Sequence, residues 1–238
     1  MTEKEERVRQ KPFTVVRRTK RLVLTALMAL TGAAAWPGVA EAAPVATWPL
    51  AADATDTTGG HNGMVDNVDF SSGSAFFSGA NSRITVPFST ALSPGAADVT
   101  ATVDIKTTAV PGTGTDDFDL MRASPTGKMY KIELFPRKHV AQAQCVFIGT
   151  ATRLSVHAGP ALNDNQWHTI RCTKTASQVT LTVLTDGAVV ASSTTTIQIG
   201  SISLKKSSIF ALGYKPVIGQ PDEDRYKGSM RNASVSIG

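Results

Sequence analysis

The chain has 238 residues, 42% of them apolar and 18% charged, and a formal net charge of +5. The surplus sits in residues 1–42, which hold 8 of the 24 Lys and Arg and 4 of the 19 acids; residues 43–238 hold 16 and 15. A surface that neutralises phosphates needs a basic excess, so this balance speaks against a nucleic-acid partner.

The first segment is polar and closes on Arg17, Arg18, Lys20 and Arg21. An apolar run from Leu22 to Ala35 follows, then Trp36-Pro37-Gly38 and the small-x-small site Ala40-Glu41-Ala42. This is the layout of a secretory signal peptide. The apolar run is about 14 residues, short of the roughly 20 that span a bilayer. The expectation is a signal peptide over 1–42, a secreted, extracellular protein over 43–238, and membrane contact only through the signal segment before cleavage. The Arg17-Arg18 pair suggests twin-arginine export, but Lys20 and Arg21 stand where that route favours apolar residues.

Period-2 alternation dominates the rest, the mark of half-buried strands. Val45–Leu50 reads as a first strand, with Pro49 suited to an edge or an end. Residues 51–63 are turn-rich. Ser74–Pro87 reads as two short strands about a Gly-Ala-Asn turn. In Val99–Lys106, Val99, Ala101, Val103 and Ile105 share one face and Thr100, Thr102, Asp104 and Lys106 the other. Strands are expected at Phe118–Met121, Met129–Phe135, Ala143–Ile148 and Arg153–His157. Asn163–Gly187 gives two more, Trp167–Thr173 and Val179–Thr185. An Asp186-Gly187 turn then leads into Val189 and Val190. Thr196–Ile199, Ser208–Tyr214 and Tyr226–Ile237 complete the series. Strands every 8–15 residues without a long helical pattern point to an all-β sandwich or jelly roll of about a dozen strands.

Asn163–Gly187, with its polar turn before Trp167-His168 and its closing Asp-Gly hairpin, resembles the core of laminin G-like domains. The last strand and the Asp- and Gly-rich loop after the first strand resemble that family too. The resemblance covers most of residues 45–238 and implies a concanavalin A-like jelly roll of two antiparallel sheets, the domain being taken as 43–238. It implies core positions for Trp48 and Trp167, and a packing role with a backbone hydrogen bond for His168.

Two cysteines in an exported chain invite a disulfide. Cys145 and Cys172 both lie in strands, and neighbouring antiparallel strands could set them face to face.

The chemistry is read mainly from what is missing. A retaining glycosidase needs two carboxylates about 5 Å apart. Residues 43–238 hold two glutamates, Glu133 and Glu223, neither in an alternation that would place a second acid on its face. Glu133 reads as a solvent-face partner of a lysine such as Lys131. Asp117 and Asp119 read as a solvated pair at a loop edge. His61, His139, His157 and His168 are scattered without zinc spacing. No catalytic residue is assigned, and the chain is expected not to be an enzyme.

Calcium is the one cofactor considered, because it takes oxygen ligands from loop Asp, Asn and carbonyl groups. Asp53, Asp56 and Asn62 are the candidate ligands, and Asp222-Glu223-Asp224 is a second acidic loop. Arg231-Asn232 and Gly127-Lys128 stand where metal-binding relatives carry acids. No ligand-contacting residue is assigned. Tyr130, Tyr214 and Tyr226 are the candidates for stacking a sugar ring; Arg137-Lys138-His139 and Lys205-Lys206 could meet acidic glycans. The expected function is a secreted, non-catalytic binding module for carbohydrate or glycoconjugate. An extracellular protein-interaction domain and a glycan-active hydrolase are the alternatives. The partner is then a glycan or an extracellular protein.

Overall fold

In the computed structural model the described residues are 42–112, 116–217 and 223–238. All of the expected signal peptide except Ala42, and Asp222 of the acidic loop, lie outside them.

The alternating segments become fourteen strands among the described residues. They are β1 (Pro44–Trp48), β2 (Met64–Asp66), β3 (Ala75–Ser78), β4 (Arg83–Val86), β5 (Val99–Lys106), β6 (Phe118–Arg122) and β7 (Met129–Arg137). Then come β8 (Val140–Ile148), β9 (Arg153–Ala158), β10 (His168–Lys174), β11 (Gln178–Thr185), β12 (Ala188–Thr196), β13 (Phe210–Leu212) and β14 (Lys227–Ile237). They form two antiparallel sheets. The first runs β1-β14-β5-β10-β11-β12, with β3 also paired to β14; the second runs β2-β4-β13-β6-β7-β8-β9.

The inward faces are those the alternation gives. Val103 and Ile105 of β5, Ile170 and Cys172 of β10, and Val179, Leu181 and Val183 of β11 are buried against Ile132, Leu134, Ala143 and Phe147 of the second sheet. Trp48 stacks on Phe210 across this core, centroids 5.3 Å apart. Asp186 and Gly187, at φ 50° and 77°, make the tight β11–β12 turn that an Asp-Gly pair favours.

Three expectations change. Thr196–Ile199 is not a strand: β12 ends at Thr196, Ile197 N bonds to Ser177 O, and Ile199 O takes the amides of Ala151 and Thr152. The three-residue β2 adds an edge that no alternation announces. Cys145 and Cys172 do form a disulfide, but not between neighbouring strands: β8 is in one sheet and β10 in the other, so the bond crosses the core.

Candidate functional site

The outer face of the second sheet carries the densest chemistry. In β7, Tyr130, Ile132 and Leu134 point into the core, so Lys131 and Glu133 point outward. In β6, Asp119 and Arg122 are three apart and would fall on opposite faces of a regular strand. A bulge between Asp119 and Met121 restores the phase, setting Asp119 opposite Glu133 and Arg122 opposite Lys131. Gln144 of β8 extends the first row.

The result is a buried checkerboard. Asp119 is 0% exposed, Glu133 1%, Arg122 6% and Lys131 8%. Arg122 Nη1 donates to Asp119 Oδ2 at 2.8 Å, and its other nitrogens cap the carbonyls of Ser124 and Pro125. Lys131 Nζ donates to Asp119 Oδ1 at 2.9 Å and to Asp117 Oδ2 at 3.3 Å, and is ion-paired to Glu133 Oε2. Gln144 Nε2 donates to Glu133 Oε1. Ligand oxygens of Asp117, Asp119 and Glu133 lie within 4.8 Å of one another, close enough to hold a metal ion. The cation between them is the Lys131 ammonium.

Three acids face two bases, and protonation closes the balance. Burial, then the charges of Asp119 and Glu133, push the Asp117 carboxyl up to about 9. The retained proton gives Asp117 Oδ1, otherwise without a hydrogen-bond partner, a donor role toward Glu133. Burial alone would lower Lys131, but Asp119, Glu133 and Asp117 outweigh it and hold the ammonium charged.

This makes a pH prediction with a definite sign. A carboxyl raised from 3.8 to about 9 holds its proton preferentially when folded. Its contribution is whole below pH 3.8, declines as pH rises, and is gone above about 9. Asp117→Asn cannot ionise, so its stability relative to wild type should climb between those limits and then level. Urea midpoints of both proteins across the range check this; a constant difference would mean that the Asp117 carboxyl titrates alike in the folded and the unfolded chain.

The checkerboard floors a cleft. A hollow of about 220 Å³ lies over Arg122, Met129, Lys131, Val146 and Arg153. It shares Asp117, Lys215 and Asp224 with a larger hollow of about 560 Å³ bordered by Gly79, Gly112, Phe118 and Glu223. Arg225 joins that to a third, of about 260 Å³, along Asp66, Asn67, Asn81 and Arg83. Lys215 holds one wall by ion pairs to Glu223 at 2.8 Å and Asp224 at 3.0 Å. The Asp224 carbonyl accepts the Asp119 amide, tying wall to floor.

Solvated placement for Glu133, Asp117 and Asp119 is therefore corrected. Lys131 is indeed Glu133's partner, but in a buried array, because the cleft walls cover the middle of this sheet face.

The candidate calcium ligands are used otherwise. Asp56 Oδ1 accepts the amides of Thr47 and Thr58, and Oδ2 those of Gly59 and His61 and the His61 ring. Asn62 Oδ1 accepts the Asp56 amide, while Asp53 turns away to cap the amide of Thr55. Burial alone would raise the Asp56 carboxyl, but these donors bring it down to about 2. With its side chain wholly buried and its lone pairs taken, Asp56 fits a loop staple and not a calcium ligand.

The same staple holds a Ser-His-Asp chain that the sequence reading missed. His61 Nδ1 meets Asp56 Oδ2 at 2.9 Å, and His61 Nε2 meets Ser89 Oγ at 2.9 Å. Ser89 Oγ also accepts the Ala91 amide, capping the short 3-10 turn Thr90–Leu92. The hollow at Ser89 is about 10 Å³, room for one water and not for an acyl group. The chain is a lock between loops.

The aromatic expectations reverse. Tyr130, Tyr214 and Tyr226 are at most 3% exposed, so none can stack on a sugar. Trp48 is core, but Trp167 stands on the outer face of the first sheet under Arg231, 4.1 Å from its centroid. Arg231 and Asn232 both reach Asp104 Oδ2. His168 is buried as expected, yet it bonds side chains, Thr185 Oγ1 and Asp164 Oδ1. Lys138 and His139 form the β7–β8 turn at positive φ.

The LG1–3 region of the laminin alpha2 chain superposes at TM-score 0.53 and 14% identity, over 68% of this chain and 34% of that one. The fold is the laminin G-like, concanavalin A-like sandwich. The same laminin G-like architecture aligns with domain 4 of AbnA, a GH43 extracellular arabinanase from Geobacillus stearothermophilus, in complex with arabinotriose. There the TM-score is 0.57 and the identity 15%, over 83% of this chain and 94% of that domain. The receptor binding domain of botulinum neurotoxin D aligns at 0.57 and 13%, over 81% and 48%. The chain thus spans about half of the toxin structure and a third of the laminin one. No family model and no curated protein sequence matches the chain; the structural likeness establishes the fold.

Proposed function

We propose that residues 43–238 are an exported, non-catalytic binding module that takes a neutral, hydroxyl-rich glycan along the cleft over the second sheet. The observation that carries this reading is the chain of three joined hollows, whose walls alternate Asp, Asn, Arg and Lys. Mixed donors and acceptors of both signs suit hydroxyl groups and give an acidic polysaccharide no net attraction. The arabinotriose complex of the similar arabinanase domain supports a sugar ligand for such a sandwich. Residues 1–42 are the export signal in this reading.

Calcium is not required in it, because Lys131 occupies the acid cage. Catalysis is disfavoured for the same reason: Asp119 and Glu133 are both paired to that ammonium. The raised Asp117 carboxyl is the one feature that favours a hydrolase, and reducing-sugar release from a bound glycan would establish it.

The test is a glycan array on oxidised protein with calcium and again with EDTA. Binding to neutral oligosaccharides, indifferent to EDTA, is expected. Arg225→Ala, on the wall, should weaken it about tenfold, the loss of one hydrogen bond to a charged group. Silence across the array would turn the reading to a protein-interaction domain. Binding lost in EDTA would put a metal in the site.

A further inference from the structure

Among the described residues the two sheets have four ends, and three are blunted as edge strands usually are; the four-residue β3 shares the β1 end beside β14 and is bridged by Asp69. β1 opens on Pro44, β2 is three residues long with Asp66 paired to Arg83, and β9 carries Arg153 and His157. The fourth, β12, runs nine residues, AVVASSTTT, without charge or proline. No Lys, Arg, Asp or Glu occurs from Gly187 to Leu204. Among the described residues, no backbone hydrogen bond ties its outer edge to another strand. Val189 and Val190, at its start, are 62% and 46% exposed.

We propose that β12 is a self-association edge, which pairs antiparallel with β12 of a second copy about a two-fold axis and makes one continuous sheet from the two first sheets. Charge selects the occupant. In a two-fold contact every group meets its own kind, so a charged edge repels its copy, while an uncharged one does not. The bulge at Val190 interrupts the ladder to β11, so the regular edge is Ala191–Thr196. Its three Thr side chains favour the extended pairing. The valines at the strand's start come against the end of the partner strand and lose their exposure. Two clefts then sit on one particle, which strengthens binding to a repeating ligand without a new contact.

Sedimentation velocity of the oxidised protein over a concentration series tests this. Wild type should approach twice the chain mass. Ser192→Lys with Thr194→Lys, both at exposed positions, should stay monomeric, with the melting temperature of wild type at the dilute, dissociated end of the series. A wild-type monomer at the highest concentration overturns the proposal, and so does a dimer that persists in the double variant. Hydrogen exchange of the wild type gives an arm that does not depend on the variant folding. The amides of 191–196 should gain protection with concentration, and protection that stays constant also overturns it.

Discussion

Lys131→Met should cost about 3–5 kcal/mol at neutral pH, the range for removing one partner of a buried ion pair. The loss is larger than the side chain's packing because, among the described residues, Lys131 is the only cation shared by Asp117, Asp119 and Glu133. Arg122 remains, but it reaches Asp119 alone among them. In the variant these acids take up protons more readily than in the unfolded chain. That contribution is present at low pH and lost as pH rises, so the deficit should narrow on acidification. Urea midpoints at pH 5 and pH 8 measure it. Lys131→Ala provides a second readout: calcium should raise the melting temperature of that variant, whose cage is open, and leave wild type unmoved. A Lys131→Met protein as stable as wild type at both pH values would mean that the cluster is solvated.

Removing the disulfide by Cys145→Ala with Cys172→Ala should cost about 3.5 kcal/mol on the loop-closure argument. The bond closes a loop across a separation of 27 residues. That segment includes β9 and the loop carrying Asp164, so an unbridged denatured chain gains the freedom of all of it. The bridge joins opposing sheets, and no strand ladder duplicates its constraint. Urea unfolding of the oxidised protein beside the double variant gives the number. A difference below about 1 kcal/mol would show that the denatured state is already compact about this loop.

The strands and the cysteine partnership were legible because both rest on local pattern. Alternation marks a half-buried strand wherever it occurs, and two cysteines allow one pairing. What the pattern does not hold is which strand lies opposite which. Cys145 and Cys172 were therefore assignable as partners but not as a cross-sheet pair. The acid-base cluster was hidden for the same reason. Asp119 reaches Glu133 only through the β6–β7 register, and Arg122 reaches that face only through the bulge. A single clue was present: Lys131 and Glu133 alternate with Tyr130, Ile132 and Leu134, and such charges on a central strand need partners. Trp167 was readable by counting. From buried Cys172, steps of two reach Ile170 and His168, which leaves Trp167 facing out. The sequence offers no comparable count for the loops that wall the cleft.

The position of β14 has a consequence for the order of events. This last strand lies between β1 and β5 and also pairs with β3. A nascent chain that has emerged only as far as β13 holds strands 1, 3 and 5 with no shared neighbour. The first sheet then exists as three separate pieces, β1, β3 and the β5-β10-β11-β12 ladder. Native assembly thus waits for residues 227–237, and any step that needs a threadable polypeptide has the whole period of synthesis in which to act. A ribosome stalled before Lys227 should present a protease-sensitive nascent chain, and one stalled beyond Gly238 a resistant domain.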